Sequence, residues 1–327
     1  MRMIFRKSQR REPAGFAQAP RSASAAPAAE TESSGCAAED RPAAVRGGFP
    51  AWLDLPALVG LFALIQLLAA FVLLFAGMKM PDAAALESVD EAVAVQAQEA
   101  AARFNLWAYP LTMGAMIGGT LLYRRLRGGN RSLGRYAVRG LNPALILWGM
   151  LLMTAAGIVL EPLLALLPEI PDFYGRGWRA LLLTVVMAPL AEEFLCRGIL
   201  LDAARARGGA VYGLFFSSVF FGVIHFHPAA VVNAFAMGLV LGYVYLRSES
   251  LWLAVILHAF NNASAMLLLT LGYAHTTLRE LLTSGGRETL YAVVYAVSAL
   301  LVLGAGVMVW RTVARLRREE RATAGAQ

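Results

Sequence analysis

The chain has 327 residues, 58% of them hydrophobic and only 16% charged, whereas a soluble domain is nearer half apolar and a quarter charged. The apolar residues fall in long runs, which excludes a soluble globular protein and points to an all-α polytopic membrane protein of about eight transmembrane helices. The net charge of +7 does not call for nucleic acid, because the arginines cluster beside apolar runs, where they set topology and meet anionic lipid headgroups.

Residues 1–48 are rich in Ala, Pro, Ser, Gly and Arg and poor in large apolar side chains. Such a segment cannot bury enough surface to offset its ordering entropy, so it reads as a disordered tail. Its arginines (Arg6, Arg10, Arg11, Arg21, Arg41 and Arg46) favour the cytoplasmic side. No apolar stretch directly follows the basic start, so a cleavable signal peptide is not expected and the first span serves as the insertion signal. Cys36 in this tail and Cys196 in an apolar run give neither a disulfide framework nor a thiolate zinc site.

Residues 49–142 hold the first two spans and their loops. Span one covers about Ala51–Gly77, and an acidic loop with Asp82, Glu87, Asp90, Glu91 and Glu99 follows it on the outer side. Span two, about Leu106–Tyr123, runs into Arg124, Arg125, Arg127, Arg131, Arg135 and Arg139, the densest basic cluster and therefore a cytoplasmic loop. Residues 143–272 read as the functional core. Span three is about Pro143–Leu160, closed by Glu161-Pro162 and an outer loop with Glu169, Asp172 and Trp178. Span four, about Ala180–Leu200, turns back at Gly208-Gly209 into span five, about Val211–Phe226. Pro228 opens span six, and span seven covers about Leu251–Leu271. Residues 273–327 hold span eight, about Leu290–Trp310, and a tail starting with Arg311, Arg315, Arg317 and Arg318. Both termini are expected inside.

Polar groups inside these runs are the exception that needs a purpose, since a charge at mid-bilayer costs about 2.5–3.5 kcal/mol on insertion scales. Glu192, Glu193 and Arg197 lie on span four, His225 on span five, and His258 and Asn262 on span seven. At a rise of about 1.5 Å per residue, Glu192 and His225 each lie roughly 22 Å from the turn that joins their helices, so they sit level. His258 and Asn262 are one turn apart on one face. Glu193 and Arg197 have the acid-first i, i+4 spacing of a helical ion pair, which leaves Glu192 to face elsewhere as a candidate general base. His227, beside Pro228, reads as interfacial. Cys196 reads as a packing residue.

In order, Glu192-Glu193-x-x-x-Arg197, Phe221-x-x-x-His225 and His258-x-x-x-Asn262 resemble the CPBP family, which contains type II CAAX prenyl endopeptidases and bacteriocin-processing and self-immunity proteins and is also called Abi. The resemblance covers roughly residues 145–272. It implies an eight-helix intramembrane protease with a chamber open to the cytoplasm and laterally to lipid, acting on a peptide or lipid-modified protein. It further implies that Glu192 with His225 holds and deprotonates the attacking water, that His258 and Asn262 donate to the oxyanion, that Glu193 and Arg197 hold the site together, and that Phe221 packs beside it. The family is often labelled metalloprotease, and Glu192, His225 and His258 would be the zinc ligands. There is no HExxH spacing, however, and a glutamate base with oxyanion donors needs no ion, so no cofactor is favoured. A non-catalytic immunity or scaffold protein is the alternative reading. A transporter is third, because no inverted repeat is visible.

Overall fold

Every regular element among the described residues is helical, and there is no strand. The computed structural model describes residues 48–324 except 87, 89, 130, 131, 139, 140, 142, 169–174, 274 and 275. The tail up to residue 47, with Cys36 and its arginines, lies outside the described residues, as do Glu87, Arg131, Arg139, Glu169 and Asp172.

The helices are α1 (Asp54–Phe75), the short α2 (Ala83–Leu86), α3 (Glu91–Leu126), α4 (Pro143–Leu164), α5 (Gly177–Leu181), α6 (Ala188–Glu193), α7 (Asp202–Val223), α8 (Pro228–Ser248), α9 (Leu251–Thr270), α10 (Leu278–Thr283) and α11 (Glu288–Ala324). Two π-helical stretches, Leu182–Met187 and Phe194–Leu201, flank α6, so the run from α5 to α7 is one rod wound at two pitches. Its wider turns are of the kind that gather at functional sites.

Among the described residues, five helices are long and apolar enough to cross a membrane: α1, α4, α8, α9 and the Glu288–Arg311 part of α11. The three other expected spans take a different form. Span two is embedded in the longer α3 and contains Pro110; span four is the rod of alternating pitch; and span five is part of α7, which breaks at Gly209. The acidic stretch expected as an outer loop is helical from Glu91 onward. Asp90 caps it, its Oδ1 accepting from the amides of Ala92 at 2.9 Å and Val93 at 3.4 Å, and this satisfies donors that a helix start leaves open.

Gly209 makes the hairpin. Its φ of 80° and ψ of 177° lie in the left-handed region that side chains avoid. The two arms then pack closely enough for the Ser217 hydroxyl to donate to the Cys196 carbonyl at 2.8 Å. Pro228 in the first turn of α8, preceded by the extended His227, starts the next helix without losing an internal hydrogen bond.

Two large apolar cores result, beside a smaller cluster around Leu201, Leu214 and Leu246. One joins α1, α3, the second π-stretch and α7 through residues such as Leu58, Phe62, Met116, Ile199, Phe216 and Phe220. The other joins α4, α8, α9 and α11 through Leu152, Met237, Leu241, Leu253, Leu257 and Ala305. Outside them, large apolar side chains stay exposed on α1 (Leu67, Phe71, Phe75) and on α11 (Val297, Leu300, Leu303). Such patches far exceed what a water-soluble monomer exposes and are covered by lipid, so this is an integral membrane protein.

Candidate active site

The polar residues gather between the two cores. Glu193 and Arg197 are both fully buried and bond through Oε1 and Nη1 at 2.8 Å. The second Arg197 nitrogen, Nη2, donates to the Gly238 carbonyl on α8 at 3.0 Å. Gly238 lies so close to Ser218 that a Cβ there would stand 3.1 Å from the Ser218 Cα, and this close approach brings the α8 backbone within reach of the guanidinium. Nδ1 of His258, on α9, lies 2.8 Å from the same Glu193 Oε1. A buried carboxylate that accepts from a guanidinium and an imidazole thus ties the rod, α8 and α9 together. Phe221 fills the space beside this group: the Arg197 guanidinium stands over its ring at 4.7 Å, and the rings of His225 and His258 meet it edge-on at 5.1 and 5.6 Å.

Glu192 has a different setting. It lines a cavity of about 320 Å³ with Thr184, Phe221, His225, His258 and Asn262. It also lines a second cavity of about 500 Å³ with Gln66, Tyr109, Thr112, His225 and His227. Glu192 Oε2 lies 3.8 Å from His258 Nε2, and Oε1 accepts from the Tyr109 hydroxyl at 2.8 Å.

His225 ends α7. Its amide turns to the Gly222 carbonyl, three residues back, so the Phe221 carbonyl loses its usual helical donor, and the His225 ring supplies one through Nδ1 at 2.7 Å. A carbonyl can only accept, so Nδ1 carries the proton and Nε2 of the neutral ring is left with a lone pair. The next residue, Phe226, has φ of 58°, a conformation that non-glycine residues rarely adopt and that here reverses the chain between two histidines. His227, read from the sequence as interfacial, lines the second cavity.

Asn262, one turn beyond His258, donates Nδ2 to the Thr184 carbonyl of the first π-stretch at 2.9 Å, and Asn261 donates to its Oδ1 at 3.3 Å. One Nδ2 hydrogen remains. The structure therefore brings Glu192, His225, His258 and Asn262 to one cavity wall, with Phe221 among them and Glu193 and Arg197 behind.

As a zinc set, Glu192, His225 and His258 do not fit: among the described residues no three His, Cys, Asp or Glu side chains gather with metal-holding geometry.

Sequence reasoning missed Tyr109 and Thr184. Tyr109 stands 83 residues before Glu192 in an ordinary apolar run, and Thr184 contributes only its backbone carbonyl here. No spacing rule connects either of them to the site.

Residues 175–264 match the family model described as Rce1-like, type II CAAX prenyl endopeptidase. No curated protein and no solved structure matches the chain. The matched stretch holds Glu192, Glu193, Arg197, Phe221, His225, His258 and Asn262, whereas Gln66, Tyr109 and Thr112 of the second cavity lie outside it. It leaves out α1 to α4 and α10 and α11.

Proposed function

We propose that this chain, whose residues 175–264 match a family of membrane-embedded prenyl-protein endopeptidases, hydrolyses a peptide bond of a peptide or lipid-modified protein near the cytoplasmic membrane face. The observation that carries the reading is that Glu192 and His225 line one cavity, while the buried cation nearest them, Arg197, is spent on Glu193 and Gly238. Among the described residues Glu192 is thereby a carboxylate without an arginine or lysine partner, on the wall of a cavity of about 320 Å³.

In the reaction we infer, water enters between Glu192 and the Nε2 lone pair of His225. Glu192 takes one proton as the water oxygen bonds to the substrate carbonyl carbon, and the carbonyl π pair moves onto its oxygen. Asn262 offers its remaining Nδ2 hydrogen to that oxyanion, and His258 offers Nε2–H when its ring carries both protons. The C–N bond then breaks as Glu192 returns the proton to the leaving amine. No metal takes part in this scheme.

The arginines support a site near the cytoplasmic face. Arg124 and Arg125 lie in the last turn of α3 and Arg127 caps it, Arg205 and Arg207 sit near the hairpin turn, Arg247 lies in the last turn of α8, Arg311 ends the last span and Arg315 follows it. By the charge bias of membrane insertion these ends face the cytoplasm, and both termini do too, in what we take to be a bacterial inner membrane.

Full-length protein in nanodiscs, given an internally quenched peptide bearing a prenylated cysteine, tests the reading. Glu192→Ala and His225→Ala are expected to abolish cleavage with unchanged insertion and melting temperature. Undiminished turnover in both variants would rule out the mechanism.

A further inference from the structure

Among the described residues Glu192 has no arginine or lysine partner, and His258 Nε2 stands off at 3.8 Å, so something else must fix the direction of its carboxylate. We propose that Tyr109, on α3, is the positioning residue for Glu192; the inference rests on the hydrolytic reading above. Among the described residues, the Tyr109 hydroxyl supplies the one hydrogen bond that the Glu192 carboxylate receives, at 2.8 Å to Oε1. The next acceptor for that hydroxyl, the Ala188 carbonyl, is at 3.5 Å, so the proton is directed at the carboxylate.

The two side chains divide the work. A glutamate has three rotatable bonds and, in an open cavity, would sample several directions. The tyrosine ring has two rotatable bonds and is packed against the core formed by α1, α3 and α7. Its hydroxyl therefore comes from a rigid post. Holding Oε1 leaves Oε2 on the side of His258, 3.8 Å from Nε2, as the oxygen free to take the proton of water. Tyr109 also lines both cavities together with Glu192 and His225, so the post stands where the two chambers meet. It touches the base and acts through it, keeping its own proton throughout.

The assignment has a structural corollary. Tyr109 lies outside residues 175–264, so the matched stretch does not hold its own base in place and depends on α3 for that. Pro110, directly after Tyr109, has no amide to offer the Leu106 carbonyl, which relaxes α3 at the position from which the ring is presented.

Tyr109→Phe removes only the hydroxyl. In the full-length protein, with the quenched prenyl-cysteine peptide as probe, kcat is expected to fall about 10- to 100-fold with KM within about twofold, because misorientation by about an ångström costs about that much. The melting temperature is expected to stay where it is. Added to Glu192→Gln, the same change is expected to do nothing further, since the group it orients is no longer a base. A substrate-free arm uses 3-fluorotyrosine at position 109: its fluorine resonance is expected to shift in Glu192→Gln and to stay put in Gln66→Leu. A Tyr109→Phe enzyme with wild-type kcat, or a fluorine resonance blind to Glu192→Gln, overturns the positioning role while an inactive Glu192→Ala keeps the hydrolytic reading. Cleavage by Glu192→Ala overturns both.

Discussion

Glu192 and Glu193 are neighbours in sequence but face regions with opposite demands. Around Glu193 lies a buried network that joins a guanidinium, an imidazole and a backbone carbonyl. In front of Glu192 lie two cavities and a single phenolic hydrogen bond. The contrast shows how a lipid-embedded site can be both rigid and reactive. Each buried charge needs compensation, and a carboxylate whose charge is already answered by a guanidinium is a poor proton acceptor. Using two consecutive acids separates the tasks: one satisfies the cation that locks three helices, and the other keeps free lone pairs.

The sharpest way to break this division is at the open side. Glu192→Gln preserves shape and hydrogen bonding to Tyr109 but removes the base, and peptide turnover is expected to drop by about 100- to 10,000-fold with stability unchanged. The closed side should respond in the other measurement. Arg197→Ala leaves the Glu193 carboxylate buried without its cation, and equilibrium unfolding in detergent is expected to show a loss of about 3–5 kcal/mol. Between the two regions sits Asn262. Its replacement by Ala removes a donor at the cavity wall, and kcat is expected to fall by about 100- to 1,000-fold, read as initial rates at saturating peptide. The smallest effect is expected far from either acid. Ser217→Ala strips the Cys196 carbonyl of its cross-hairpin donor, at a stability cost of about 1–2 kcal/mol and no change in turnover. If Ser217→Ala impaired catalysis as strongly as Asn262→Ala, the separation between scaffold and cavity would be lost.

The sequence makes the long helices legible because lipid imposes a simple rule: a stretch of apolar residues about 20 long is a helix. Thus α1, α4, α8 and α9 can be read within a few residues. It also exposes Glu192, Glu193, Arg197, His225, His258 and Asn262, since each is costly in an apolar run. Helical spacing alone puts Arg197 one turn from Glu193. What spacing cannot express is contact between distant helices. That Arg197 divides itself between Glu193 and the Gly238 carbonyl, that His258 turns Nδ1 to Glu193, and that Tyr109 meets Glu192 all depend on how α3, α8 and α9 pack. The π-stretches were equally hidden, because Leu182–Met187 and Phe194–Leu201 carry no residue type that distinguishes five-residue from four-residue hydrogen bonding.

The short stretch after α3 carries one more consequence. There the Gly134 amide donates to the Gly198 carbonyl at 2.8 Å, the Tyr136 hydroxyl reaches the Leu190 carbonyl at 3.3 Å, and the Ser250 hydroxyl reaches the Ala137 carbonyl. A Cβ on Gly134 would stand 2.6 Å from the Gly198 Cα, so two bare backbones touch there with nothing between them. This crossing works like a gauge block of zero thickness. It sets the height of the acid-bearing rod against the basic rim of the membrane, and even one added methyl group would raise the reaction centre off its seat.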